Sequence, residues 1–219
     1  MDFILTEEEA RVLGALIEKE FTTPDYYPLS LNALKNACNQ TSNRDPVVSY
    51  EEETVSLVLD KLKEKGLVDQ DNLSRVPKFS EMFLKKARFM PPEAAIICEL
   101  MLRGPQTTGE LRTRSERIHP TENFEAVLAT LKTLEEWGYV TLLPRQAGKK
   151  EPRYAHLLCG IPVIKEEEKV TVTTVSSGAS IYDRFVDRED FLKLEAEVKM
   201  LRKELDEIKK AFLDFKTQF

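Results

Sequence analysis

Thr54-Val-Ser-Leu-Val-Leu-Asp-Lys-Leu-Lys-Glu-Lys-Gly-Leu-Val68 returns in pattern, 72 positions later, as Ala126-Val-Leu-Ala-Thr-Leu-Lys-Thr-Leu-Glu-Glu-Trp-Gly-Tyr-Val140. Each copy reads as an amphipathic helix, a glycine and the start of an apolar strand. A second echo precedes each copy. Glu8, Ala10, Val12, Leu16, Ile17, Thr22 and Thr23 correspond to Glu93, Ala95, Ile97, Met101, Leu102, Thr107 and Thr108 at an offset of 85. A chain that echoes itself builds one supersecondary unit twice. The unit reads helix, helix, helix, glycine, strand, which is the layout of a winged helix-turn-helix domain. The expected fold is mainly α with small β-wings, an α+β class. Two tandem winged helix-turn-helix domains are expected over residues 1–85 and 86–162, then a linker over 163–186 and a heptad-patterned helix over 187–219. The offsets differ by 13 (85 against 72), so the first copy carries extra residues between Thr22 and Val55.

A chain of 219 residues, 42% of them hydrophobic, suffices for one or two packed cores. No apolar run approaches the roughly 20 residues that span a bilayer, and Met1-Asp-Phe-Ile-Leu-Thr-Glu-Glu-Glu9 lacks the basic start of a secretion signal. Cys38, Cys98 and Cys159 are odd in number and widely spaced, which predicts neither a disulfide framework nor a metal knuckle. A cytoplasmic protein is expected. The net charge of −6 hides a partition. Residues 1–84 hold 9 Lys/Arg against 16 Asp/Glu, a balance of −7, whereas residues 85–165 hold 13 against 9, a balance of +4. A polyanion is therefore expected to meet the middle segment.

In the first unit, Thr6 is placed to cap a helix running to about Phe21, with Glu7 to Glu9 favourable to its dipole. Ser30 can cap a short second helix. Ser49 with Glu52 forms an S-x-x-E capping box for the third, and Gly66 is suited to end it in a left-handed conformation. Leu67–Asp69 and Arg75–Phe79 are expected as the two wing strands. Glu51, Glu52 and Glu53 stand where a reading helix would enter a groove, and carboxylates there repel phosphate. Asn39, Gln40, Asn43 and Arg44 are the first-unit candidates for a backbone or a base edge. The competing reading is that they cap the second helix and its following loop.

In the second unit, Pro91-Pro92-Glu93 opens a helix, Thr107 with Glu110 forms a capping box, and Phe124, Val127, Leu128, Leu131 and Leu134 form the core side of its third helix. Arg112, Arg114 and Arg117 lie close together in sequence. Asn123, Ala126, Ala129, Lys132 and Thr133 are the outward positions, small or neutral. Tyr139–Leu143 and Arg153–Leu158 are expected as a hairpin whose turn carries Arg145, Lys149 and Lys150, with Arg153 beside it. Cations on a hairpin tip suit a phosphate backbone, against the plainer reading of a solvated loop. The DNA candidates are thus Arg112, Arg114, Arg117, Asn123, Lys132, Thr133, Arg145, Lys149, Lys150 and Arg153.

Near the C-terminus, Phe191, Leu194, Val198, Leu201, Leu205, Ile208, Phe212, Phe215 and Phe219 alternate spacings of three and four, a heptad seam that predicts a homodimer. A helix packed on its own chain is the alternative. Catalysis has little support. His119 and His156 lack zinc spacing, and no phosphate-cradling glycine motif occurs, so neither an enzyme, a cofactor nor a metal is expected.

Leu5-Thr-Glu-Glu-Glu-Ala-Arg-Val-Leu-Gly14, Glu18-Lys19, Thr22-Thr-Pro24, Tyr27-Pro-Leu-Ser-Leu-Asn32, Ala37-Cys-Asn-Gln40 and Asn43-Arg44 with Pro46 resemble the YceH-like bacterial family. Leu102-Arg-Gly-Pro-Gln-Thr-Thr-Gly-Glu-Leu-Arg112 and Gly148-Lys-Lys-Glu-Pro-Arg-Tyr154 continue the likeness, which covers roughly residues 3–160. The resemblance implies tandem winged-helix domains in a cytoplasmic protein and carries no catalytic or binding residues to transfer. Its motifs are densest in the acidic first unit, whereas the charge partition points to the second. From the residues, the leading expectation is a DNA-binding protein, a transcriptional regulator that reads double-stranded DNA with the third helix and basic wing of the second unit. The alternative is a protein-interaction scaffold with no direct DNA contact. No membrane association is expected.

Overall fold

Two helices that are buried on every side organise the molecule. Helix α1 (Glu7–Thr22) starts at the expected Thr6 cap, where the Thr6 hydroxyl accepts from Glu9 N and the Glu9 carboxylate accepts from Thr6 N. All of its residues from Glu9 to Glu18 are buried. The computed structural model describes residues 3–73, 75–121, 123–145 and 151–161, together with Met200. Residues 1–165 form one compact unit and residues 166–219 another. The linker, the heptad residues Phe191 to Phe219, and Lys149 and Lys150 lie outside the described residues.

After α1 the chain makes strand β1 (Leu29–Ser30), helix α2 (Leu31–Cys38) capped by Ser30, and helix α3 (Glu52–Glu64). The expected capping box at Ser49 does not form. Helix α3 begins two residues later than that box requires, with Glu51 at the cap and no side-chain cap bond. The cause is Asn39, whose amide grips both the N–H and the C=O of Tyr50 at 2.8 Å and keeps the chain extended there. Gly66 ends the helix turn at φ +65°, the left-handed region that glycine enters freely. Strands β2 (Val68–Asp71) and β3 (Lys78–Glu81) follow, later than expected from sequence. Pro77 has no N–H to give, so the ladder starts at Lys78. Strand β1 joins the same antiparallel sheet in the order β1-β3-β2, with Leu29 opposite Phe79.

A short helix α4 (Phe83–Ala87) leads to α5 (Pro91–Arg103), whose residues Ala94 to Leu102 are all buried. Helix α6 (Thr108–Ser115) carries the expected capping box between Thr107 and Glu110. Helix α7 (Phe124–Glu136), β4 (Val140–Leu142) and β5 (Tyr154–His156) complete the unit. Gln106, just before α6, bridges Tyr154 with paired backbone bonds of 3.0 and 2.8 Å. That bridge repeats in miniature the β1–β3 pairing that precedes α2. The repetition inferred from 54–68 and 126–140 is therefore also a repetition of topology. Among the described residues the protein is mainly helical with small antiparallel sheets, an α+β arrangement.

The two halves share one core that runs from Leu5 to Leu158. Helices α1 and α5 pack directly on each other. Gly14 permits the approach, because a Cβ there would lie 3.1 Å from Leu102 Cδ2 and Met101 Cβ. Cys98 Sγ donates to the Gly14 carbonyl at 3.4 Å. Leu5 N donates to Leu158 O at 2.8 Å, tying the first residues of one half to the last of the other. One sequence expectation about α7 is corrected here. Val127, Leu131 and Leu134 are buried, but Phe124 and Leu128 are 41% and 40% exposed. With about 100° between successive helical residues, Phe124 and Leu128 fall to one side of the narrow buried stripe and face outward.

Candidate functional site

Where α1 meets α5, the core is crossed by charge. Glu18 and Glu99 are both 0% exposed. Glu18 receives Arg44 on both oxygens, with Nη1 at 3.0 Å, and Arg117 reaches it across the seam. Glu99 receives Arg117 Nε at 3.0 Å on one oxygen, while Arg103 Nε lies 2.9 Å from the other. Arg117 thereby links a carboxylate of α1 to a carboxylate of α5. Burial alone would raise Glu18, but Arg44, Arg117 and Lys19 hold it below the ordinary carboxylate range. Glu99 stands above that range, because burial outweighs the help of Arg117 and Arg103. Burial would also lower Arg117, yet the two carboxylates hold its guanidinium above its usual value.

The loop after α2 is part of this seam. Arg44 donates Nε and Nη2 to the Ala37 carbonyl at 3.1 and 2.8 Å and Nη2 to Gln40 Oε1 at 3.1 Å. Arg11, from α1, holds the Cys38 and Pro46 carbonyls at 3.4 and 2.6 Å. Asn43, at φ +60°, accepts from Arg103 of the other half. The four first-unit candidates Asn39, Gln40, Asn43 and Arg44 therefore all have partners inside the protein. Glu18-Lys19, Asn39-Gln40, Asn43-Arg44 and Arg103 to Gln106, scattered through the resemblance motifs, come together in space here.

The second-unit candidates divide. Arg117 is in the seam. Arg114 donates to Gln106 Oε1 at 2.7 Å and approaches Glu110 at 3.4 Å. Arg153 donates to the Pro105 carbonyl at 2.7 Å and pairs with Glu110 at 3.0 Å. Asn123 caps α7, accepting from Ala126 N at 2.8 Å, and Thr133 donates to the Ala129 carbonyl at 3.1 Å. Lys132 stands 4.0 Å from Glu136. Arg112 and Arg145 are exposed and have no ion-pair partner among the described residues.

The outward faces of the two third helices are both acidic. On α3 the exposed residues are Glu52, Glu53, Leu57, Asp60, Lys61 and Glu64. On α7 they are Phe124, Glu125, Leu128, Ala129, Lys132, Glu135 and Glu136. Beside α7 lies a groove of about 300 Å³ bordered by Pro92, Ile96, His119, Pro120, Ala126 and Val127. Among the described residues no cluster of His, Cys, Asp and Glu is placed to hold a metal ion, and no helix is long and apolar enough to cross a membrane. The thiols are poorly suited to attack, with burial pushing Cys38 up to about 12 and Cys159 to about 11. Burial, with no partner on Nδ1, pushes His156 down to about 4 and keeps its ring neutral near pH 7.

Sequence reasoning missed Glu18, Glu99, Arg103 and Gln106. One signal was available for Glu99, the lone charge in the otherwise apolar run Ala94 to Leu102. A helix apolar all round is buried, and a buried charge needs a partner.

Comparison with known proteins places the chain in a single family. A family model described as protein of unknown function, DUF480, matches residues 5–149. The chain is 49% identical over 220 residues to a UPF0502 protein of Solibacter usitatus, 48% over 227 residues to one of Pelobacter propionicus and 47% over 222 residues to one of Geobacter sulfurreducens. Each of these alignments covers 100% of both chains.

Proposed function

The chain belongs to the family described as protein of unknown function, DUF480, and from that premise we propose that it is a protein-docking module built from two tandem winged helix-turn-helix domains. The helix–strand–helix–helix–hairpin order of the first half, repeated in the second with the single bridging residue Gln106 in place of the strand, supports the winged-helix reading. The observation that carries the docking reading is the sign of the two helices such a domain would lay in a DNA groove. The exposed charges of α3 are four carboxylates and one lysine, and those of α7 three carboxylates and one lysine. Both faces repel phosphate. They also present Leu57, Phe124 and Leu128 to solvent, apolar anchors of the kind that protein interfaces use. The heptad stripe of residues 187–219 supports a homodimer of such modules.

A second reading, DNA binding, is favoured by one observation, the exposed and unpaired Arg112 and Arg145. One experiment separates the two. The full chain and its F124D/L128D variant are used to capture partners from native lysate, while fluorescence anisotropy follows a duplex DNA at low salt. Docking predicts a stoichiometric protein lost with the variant and no saturable DNA binding. Salt-dependent duplex binding that R112E or R145E weakens would replace it with the DNA reading.

A further inference from the structure

We propose that the solvent side of the charged seam, over Glu99, is a binding site for one phosphate-type oxyanion. Three guanidiniums converge on this single residue. Arg103 and Arg117 sit on the two oxygens of its carboxylate at 2.9 and 3.0 Å. Arg114 reaches it through Gln106, whose amide nitrogen donates to the Glu99 carbonyl at 2.9 Å. Their internal bonds fix the three planes before any ligand arrives, which lowers the ordering cost of binding.

Each nonetheless keeps a face to solvent, with 18, 29 and 32% of the Arg103, Arg117 and Arg114 side chains exposed. A guanidinium has five N–H donors, and these are not all used. Arg103 Nη1, Arg117 Nη1 and Arg114 Nε donate to nothing among the described residues. The charge balance also favours an anion. Lys19, Arg44, Arg103, Arg114, Arg117 and Arg153 stand against Glu18, Glu99 and Glu110, a surplus of +3. Counting the exposed neighbours in sequence Asp45 and Glu116 leaves +1. Forked donors with unfilled positions and surplus positive charge suit the three oxygens of a phosphate group, whether it is free or terminal on a nucleotide.

The test is calorimetric titration of the full chain with inorganic phosphate and with a nucleoside monophosphate, each at matched ionic strength in chloride. Saturation at one phosphate per chain is expected. R103K, which retains the charge on Glu99 but loses the fork, and R114Q, which touches no buried carboxylate, each weaken binding by about tenfold. Circular dichroism verifies that both variants fold. Equal affinity for the two ligands assigns the site to the phosphate group itself, and tighter nucleotide binding assigns it to a nucleotide phosphate. No saturable heat from either ligand, or affinity unchanged in folded R114Q, overturns the proposal.

Discussion

The seam between the repeats and the outward faces of α3 and α7 divide the charge of this protein in opposite senses. Arginines from the basic middle segment turn inward, where Arg117, Arg103 and Arg114 meet Glu18, Glu99 and Glu110. Carboxylates line the outside of both third helices. A surplus of +4 along a stretch of sequence therefore does not become a basic surface of the same size. Much of it is neutralised within the fold, and the helix faces left to solvent are acidic with exposed apolar residues.

Glu18 gives the strongest test of the inward side of this contrast. It is fully buried between Arg44 and Arg117, and replacing it with Gln leaves the buried Arg44 without its carboxylate and Arg117 with Glu99 alone. A loss of about 3–5 kcal/mol is expected in chemical denaturation. A loss below about 1 kcal/mol would mean that the seam is solvated and the contrast false. Gly14→Val tests the apolar part of the same junction. Added methyl groups would press on Leu102 and Met101 across the α1–α5 approach, costing about 1–3 kcal/mol by the same assay.

Smaller in effect is a pH dependence that distinguishes two buried carboxyls of the first half. Burial, reinforced by Glu20, pushes Glu81 up to about 7. Its folded pKa is thus above its unfolded one, so the folded state holds the proton more tightly. The stability it confers is complete below the unfolded value and is lost as pH rises through about 7. Glu18 has the opposite sign: its folded pKa is depressed, and its contribution is lost as pH falls. E81Q is expected to flatten the decline on the alkaline side, by about 1–2 kcal/mol, when melting is followed from pH 5 to 8. An unchanged profile would remove Glu81 from the comparison. Least costly to the fold is F124D/L128D on the outward side, expected to stay within about 0.5 kcal/mol of the parent while losing its protein partner. A large destabilisation there would mean that this face belongs to the core after all.

Much of the fold was legible in the chain because local chemistry announces it. Thr6, Ser30 and Thr107 cap where a hydroxyl three residues before a free N–H must cap. Gly66 and Gly138 take positive φ where the two copies of the repeat place a glycine. The misses have physical causes of the same local size. Ser49 lost its capping role to Asn39, which holds Tyr50 from 11 residues away, and Phe124 and Leu128 lie beside the buried stripe, where spacing alone does not separate inside from outside. Asn43 and Arg44 could be read as binding residues because a donor list does not say which acceptors the fold will bring to it.

The sequence by itself determined the duplication, the helix and strand types and the principal caps, because periodicity and capping act over a few residues. Only the tertiary structure decided where the charge goes. Glu18 and Arg117 are 99 residues apart and Glu99 lies on a third element, so their neutralisation depends on the packing of α1 against α5. That packing turns a basic segment inward and leaves acidic helices facing out, which a linear count of charges does not contain.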